Sequence, residues 1–302
     1  LGDAEEEVSV LRDMLSEKRE SSMPTLVNQY KESRESTKGN AESIPSGLPI
    51  DDILNGFYPT DLIVIGASPG EGKTALMLQS ALNIAKGGKS VGIISIEMSG
   101  TQLLRRMVSQ IAKVDVSSLK KGKLSESVEV RVQEALEAIS SMRIYIDDTP
   151  SVTGQSLRSR IKRMCLSRNV EIIFLDYIQK IQADKWMPKR DVVGNSANIL
   201  KIIAKENKIP VIALSQVSRD KKRTSAGRYV ISDLKNSSEI EETADVIMFI
   251  YRPEMHGEYE TATGESTKEL AYIDVRKHRD GVNGSIMMRF IGQYTQFTSI
   301  DG

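Results

Sequence analysis

The sequence is poor in the residues that staple or metallate a fold. Among 302 residues there is a single cysteine, Cys165, which excludes a disulfide scaffold and a Cys-rich zinc site. Only two histidines, His256 and His278, are present, which argues against a His-built metal centre. No apolar run approaches the roughly 18 residues that cross a bilayer, so no membrane partner is expected. There is no excess of either charge: Lys+Arg and Asp+Glu are both 41. Without a whole-protein field, any nucleic-acid binding has to come from local basic clusters. Apolar material is not lacking. Hydrophobic residues make up 39% and charged residues 27%, which excludes a disordered chain. The length allows one large domain or two ordinary ones. The lone cysteine and an acidic opening without a secretory signal fit a reducing, cytosolic setting. The first residue is Leu1 rather than Met, and the chain reads as a fragment.

Residues 1–45 differ in texture from the rest. Residues 5–19 read as a charged helix with a narrow apolar stripe at Val8, Leu11, Met14 and Leu15, too thin for a core helix. Residues 32–47, rich in Ser, Glu, Lys, Asn and Gly, read as a linker. The segment is either a solvated tail or a helix that docks on another subunit. From Pro49 onward, short apolar runs alternate with longer amphipathic stretches. Strands are predicted at 62–65, 91–96, 143–146, 172–175 and 211–214, and helices at 74–86, 101–112, 126–140, 154–168 and 195–207. Buried strands separated by helices imply a parallel sheet covered on both faces. After Thr243 the helices give out. Strands at 246–251, 269–277, 285–291 and 296–300, with turn pairs at Asp280–Gly281 and Asn283–Gly284, predict an antiparallel extension of the same sheet.

The strand at 62–65 runs into Gly66, Ala67, Ser68, Pro69, Gly70, Glu71, Gly72, Lys73 and Thr74, followed by a helix. This is a Walker A loop in its strand–loop–helix setting, with Ala67 where the strict pattern has glycine. Glycines let backbone N–H groups turn inward around phosphate oxygens, and the helix N-terminus adds partial positive charge. Ser68, Pro69, Gly70, Glu71, Gly72, Lys73, Thr74 and Ala75 are the candidate nucleotide contacts. Lys73 is expected on the β- and γ-phosphates and the Thr74 hydroxyl on Mg²⁺. The apolar run 171–175 ends in Asp176, the Walker B form, whose carboxylate can hold the Mg²⁺ shell beside Thr74. Glu97 ends the strand after the P-loop helix. It is either the base that activates water or a helix-entry acid beside an N-capping Ser99. Gln216 ends the strand at 211–214 and is either a γ-phosphate sensor or an ordinary surface amide.

Taken in order, these residues resemble a known family. The runs 95–99, 174–177, 214–216, 233–237, 244–252 and 277–281 are similar to motifs in the ATPase domain of DnaB-type replicative helicases, hexameric motors that unwind DNA. The resemblance runs from about Ile44 to the C-terminus. It implies an α/β, RecA-like P-loop NTPase with a mainly parallel twisted sheet. It implies residues 46–302 as the motor, and 1–45 as linker helix and flexible linker with the N-terminal collar domain absent. It implies ATP and Mg²⁺ as cofactors, Glu97 as catalytic glutamate and Gln216 as the residue coupling γ-phosphate to the DNA loops. Arg106 matches an arginine near the nucleotide, and Arg252 is placed near the base. Lys277 and Arg279, on their own a basic surface turn, match the pair that reaches into a neighbouring subunit's site, where cationic groups stabilise transition-state charge.

The resemblance also implies DNA-binding loops. Lys185, Lys189 and Arg190 flank the only tryptophan, Trp186, which is either a base-stacking platform or a packing anchor. Arg219, Lys221, Lys222, Arg223 and Arg228 form a second basic segment, suited to phosphates without reading sequence. Lys235 and Asn236 match the segment that contacts the single strand, although Lys235, Asn236, Ser237 and Ser238 stand where the family commonly has Arg-Glu-Ser-Gly. The implied partners are single-stranded DNA, five further copies in a homo-hexamer, a primase and a helicase loader, in the cytoplasm of a bacterium or a phage-infected host. Two other readings stay open. A RecA-like recombinase or other ring ATPase would share the fold, and a nucleotide-gated scaffold for replication partners would bind without turnover.

Overall fold

A computed structural model describes residues 22–36, 43–182, 192–217, 227–234, 237–261 and 263–300. The chain divides into two compact units, residues 1–42 and 43–302. In the first unit, helix α1 (Met23–Ser36) carries exposed Met23, Leu26, Val27 and Tyr30, an apolar stripe at helical spacing. It extends into residues 32–36, which composition assigned to a linker. Ser, Glu and Lys are tolerated on a solvated helix, so polarity alone did not mark its end. The helix read at 5–19 lies outside the described residues.

The second unit begins at Ser43. Ile44 is bridged to Phe57 and both are buried, with the short helix α2 (Asp51–Leu54) between them. The remaining helices are α3 (Lys73–Lys86), α4 (Gly100–Ala112), α5 (Val116–Lys121), α6 (Glu126–Ser140), α7 (Gly154–Arg168), α8 (Val192–Asn207) and α9 (Ser237–Thr243). They surround β1 (Leu62–Ala67), β2 (Val91–Ser95), β3 (Ile144–Asp147), β4 (Ile172–Asp176), β5 (Val211–Gln216), β6 (Val246–Tyr251), β7 (Leu270–His278), β8 (Gly284–Ile291) and β9 (Gln296–Ser299). These nine strands of the described residues form one sheet in the order β3-β2-β4-β5-β1-β6-β7-β8-β9. The first six in that order are parallel and the last three antiparallel, as the change of texture after Thr243 predicts.

The parallel strands inside the edge strand β3, whose residues are only half-buried, are buried on both faces. Ile63, Ile65, Ile93, Phe174 and Ile212 join one core with α3. Leu62, Val64, Ile94, Ile173, Leu175 and Phe249 join a second core under α7 and α8. Successive side chains of a strand point to opposite faces, so an unbroken apolar run feeds both cores at once. Helices α5 and α9 were not legible beforehand. The first is a six-residue element held by an Asp115 cap and a left-handed Gly122, too short to show a period.

A buried side chain of α3 fastens the antiparallel end of the sheet to that helix. Buried Gln79 donates to the Phe297 carbonyl at 2.7 Å and accepts from its N–H at 2.8 Å. Gln79→Leu leaves both backbone groups buried and unpaired, so we expect a loss of about 2–3 kcal/mol, measured by urea denaturation, with β9 the first segment to lose amide-exchange protection.

Candidate functional site

The loop between β1 and α3 has the geometry its glycines permit. Gly72 has φ of 104°, and a side chain there would meet Phe297 at 2.9 Å. A glycine is therefore required both for backbone conformation and for the close approach of the hairpin beneath it. The Lys73 ammonium folds back over the loop and donates to the carbonyls of Ala67 at 2.6 Å and Ser68 at 3.1 Å. Burial pulls its pKa down, opposed by the carboxylates of Glu71, Asp176 and Glu97. Lys73 thus stands where an anion would be welcome. Thr74 donates its hydroxyl proton to Asp176 at 2.8 Å. The Asp176 carboxyl is pushed above the usual range, chiefly by burial.

These groups open into a cleft of about 640 Å³ at the C-terminal edge of the parallel strands. Glu97 stands exposed on its wall and Arg106 projects from α4. The Arg106 guanidinium is drawn down by burial and supported by Asp176 and Glu97. Ser99, as read from the sequence, caps α4, in a reciprocal box with Gln102. Gln216 completes the floor. Its backbone N–H donates to Gln179 Oε1 at 3.1 Å, while Gln179 Nε2 donates to Ser215 Oγ at 2.8 Å. Nothing in the sequence marked Gln179 as the residue that fixes the end of β5. Nor did anything mark Phe290, Gly292 and Thr295, which form the far wall. The Thr295 carbonyl accepts from Gln110 at 2.7 Å, and the same amide group donates to Ala75 O at 3.1 Å, tying that wall to the P-loop helix.

Three of the nucleotide-contact candidates do not line the cleft: Ser68, whose hydroxyl lies 2.8 Å from that of Tyr229, Glu71 and Arg252. Glu71 has 0% exposure and turns its carboxylate inward, since a Walker A loop presents backbone N–H groups and not this side chain. Arg252 lies beneath the loop and not on the cleft wall. It donates to the Gly70 carbonyl at 3.2 Å, pairs with Glu254 and covers the Phe290 ring at 4.2 Å.

Lys277 and Arg279 sit at the other end of the sheet. Lys277 pairs in register with Ile247 and His278 with Val246, at the N-terminal end of a strand parallel to β1. Strand β1 has six residues, so roughly 20 Å at ~3.3 Å per residue separate that edge from the cleft. Arg279 donates to Asp245 Oδ1 at 2.8 Å, and Lys277 to the Glu241 carbonyl. Burial and the charge of Arg279 lower the Lys277 pKa. Neither cation reaches its own chain's cleft.

Of the basic-loop candidates, Lys185, Lys189, Arg190, Arg219, Lys221, Lys222, Arg223, Lys235 and Asn236, with Trp186, lie outside the described residues. Arg228 is described, and it is engaged within the fold. It donates to Asp274 at 3.0 Å and Ser285 at 3.1 Å and lies 3.6 Å over the Tyr272 ring.

A phosphate loop, a strand-end carboxylate and a glutamate converging at one edge of a mainly parallel sheet define a P-loop nucleotide-binding domain. Residues 43–299 match the DnaB-like helicase C terminal domain, and the chain belongs to that family. A replicative DNA helicase DnaB of Rickettsia typhi is 35% identical over 278 residues, covering 84% of this chain and 56% of that protein. A solved structure described as an ATPase domain superposes with a TM-score of 0.83 at 26% identity, over 93% of this chain and 99% of its own. A DnaB-like replicative helicase, solved with a view to its interactions with primase, superposes with a TM-score of 0.81 at 26% identity, over 98% of this chain and 72% of its own. The fold is therefore RecA-like. The chain spans little more than half the length of the curated relatives it matches.

Near Arg279, burial and the neighbouring Asp245 push the Asp61 pKa up to about 6, from its ordinary 3.8. Its favourable contribution is complete below that lower value and is lost as pH rises through the higher one. Asp61→Asn cannot ionise. Its unfolding midpoint should rise relative to the parent between pH ~4 and ~7, and the difference should be flat above that, as read by thermal denaturation across pH.

Proposed function

We propose that this chain is the ATPase motor of a replicative DNA helicase, hydrolysing ATP to translocate on single-stranded DNA as a homo-hexameric ring. The observation that carries the proposal is the separation of the phosphate cleft from the Lys277–Arg279 pair. Among the described residues Arg106 is the arginine lining the cleft, on the α4 side, and the Lys277–Arg279 cations stand at the opposite edge of the same sheet. A neighbouring copy supplying its Arg279 completes the site.

The donor set fits a magnesium nucleotide: a hydroxyl and a carboxylate 2.8 Å apart in Thr74 and Asp176, beside Lys73. When bound there, Mg²⁺ supplies charge neutralisation to the β- and γ-phosphates. The remaining work belongs to the chain. Lys73 exchanges its loop carbonyls for phosphate oxygens. Glu97 accepts a proton from the attacking water. Gln216, fixed by Gln179, bonds the γ-phosphate and registers its loss. The neighbour's Arg279, with Lys277 beside it, stabilises charge on the transferred phosphoryl group. Arg106 adds positive charge on the α4 side. The segments holding Lys185 to Arg190, Arg219 to Arg223 and Lys235 to Asn236 supply the DNA contacts, with Arg228 anchoring the root of the second. The exposed stripe of α1 suits docking on an adjacent copy. The solved relative described with its interactions with primase supports a primase as partner, and a loader follows from ring closure around DNA. The site of action is the cytoplasm of a bacterium or of a phage-infected cell. Among the described residues no helix is long and apolar enough to cross a membrane.

ATPase rate is to be measured against protein concentration, with and without single-stranded DNA. The specific rate should rise with concentration and with DNA. Arg279→Ala should lower it about 1,000-fold and Glu97→Gln about 100-fold or more, both while still binding nucleotide. Turnover independent of concentration and intact in Arg279→Ala would sink the trans-acting reading.

A further inference from the structure

The Walker A loop contains a fully buried acid that nucleotide binding does not explain. Glu71 is 0% exposed, yet it lies next to a loop meant for polyphosphate and acts electrostatically on Lys73. Left to itself, such a carboxylate would compete with phosphate for that ammonium. Its oxygens are instead turned away and engaged. Oε2 accepts the Ser68 backbone N–H at 2.5 Å. The Tyr229 hydroxyl lies 2.9 Å from the same oxygen and 2.8 Å from Ser68 Oγ. With one proton to give and a carboxylate that only accepts, Tyr229 donates to Glu71 and accepts from Ser68. Oε1 accepts from His256 Nε2 at 2.6 Å, and the histidine ring is itself held in a parallel stack on Tyr251 at 4.6 Å.

We infer that His256 and Tyr229 are positioning residues for the nucleotide site. They hold the Glu71 carboxylate behind the loop, where it takes only the Ser68 N–H of that loop, so that Lys73 and the other backbone N–H groups are left for phosphate. This inference rests on the nucleotide-binding reading of the cleft. The three side chains come from the loop after β1, the stretch before β6 and the turn after it, so they also tie the cradle to two distant parts of the chain. The geometry makes a signed prediction. Removing His256 should harm nucleotide binding only while residue 71 carries a charge, because the harm comes from the uncovered carboxylate and not from the lost imidazole.

The test is a fluorescence titration of the full chain with mant-ADP in the presence of Mg²⁺, with the thermal midpoint of each variant recorded. His256→Phe, which keeps a ring against Tyr251 but removes the donor, should weaken binding roughly tenfold, the scale of an uncompensated buried charge–donor contact. Adding Glu71→Gln to it should recover most of that loss, because the amide carries no charge to compete for Lys73. Tyr229→Phe should weaken binding by a smaller factor in the same direction. Unchanged binding in His256→Phe, or losses that simply add in the double variant, would overturn the inference. Should His256→Phe fail to fold, Tyr229→Phe alone and combined with Glu71→Gln applies the same criterion. Lys73→Ala serves as the separate control. Undiminished mant-ADP binding in that variant would overturn the nucleotide-site reading itself, whatever the His256 variants do.

Discussion

Parallel pairing is the constraint from which the rest of this molecule follows. A parallel ladder satisfies its strands laterally and points them all the same way, so every strand from β1 to β6 delivers its C-terminal residue to one edge. Ala67, Asp176 and Gln216 arrive there as strand ends, and Glu97 follows just after β2. None of them needs a special loop to find the others. The hydrogen bond between Thr74 and Asp176, 2.8 Å long across 102 residues of sequence, is the direct consequence. The same ladder decides what cannot arrive. An antiparallel β7 runs back toward the opposite edge and carries Lys277 and Arg279 with it.

Much of this was readable in advance because the local signals are strong. Buried parallel strands show as unbroken apolar runs bounded by polar residues, and β4 ends at Asp176, where the run ends. The P-loop is a contiguous motif, so its glycines, Lys73 and Thr74 were legible together. The cap at Ser99 was legible because a hydroxyl before a helix has few other uses. What escaped was assembled by long-range pairing. Phe290 and Thr295 reach the cleft because the antiparallel hairpin folds back beside α3, held by Gln79 and Gln110, and no local pattern encodes that distance. Gln179 escaped because an amide after a strand looks like any surface residue until β5 is laid beside β4. The motif alone makes Glu71 a contact, because its position in the loop is a contact position. Only its three partners, from distant segments, reveal that it faces the other way. Polar α1 residues beyond position 31 look like linker because composition reports solvation and not backbone conformation.

Burial organises the charges at both edges of the sheet, with opposite consequences. At the cleft, Lys73, Asp176 and Arg106 are each pushed toward neutrality by burial. A ligand bringing both negative phosphate and a cation relieves all three at once, and the site is poised for a charged nucleotide complex for that reason. At the far edge, Asp245 is buried and accepts from the Leu62 N–H, from Lys201 and from Arg279. That carboxylate is compensated several times over.

On the reading proposed above, the excess of donors around Asp245 bears on how Arg279 could serve another chain. An exposed arginine with no partner would be loose, and ordering it at a neighbour's phosphate would cost rotamer freedom. Arg279 is already ordered: its backbone N–H donates to the Asp245 carbonyl at 2.9 Å and its guanidinium to the carboxylate. Lys201 and the Leu62 N–H remain on Asp245 if Arg279 turns outward, so the carboxylate is not stranded in the core. Exchange of a carboxylate for a phosphoryl oxygen then trades one charge-assisted bond for another, and the net cost of reaching across an interface stays small. On the proposed reading, a subunit can present its finger without weakening its own fold.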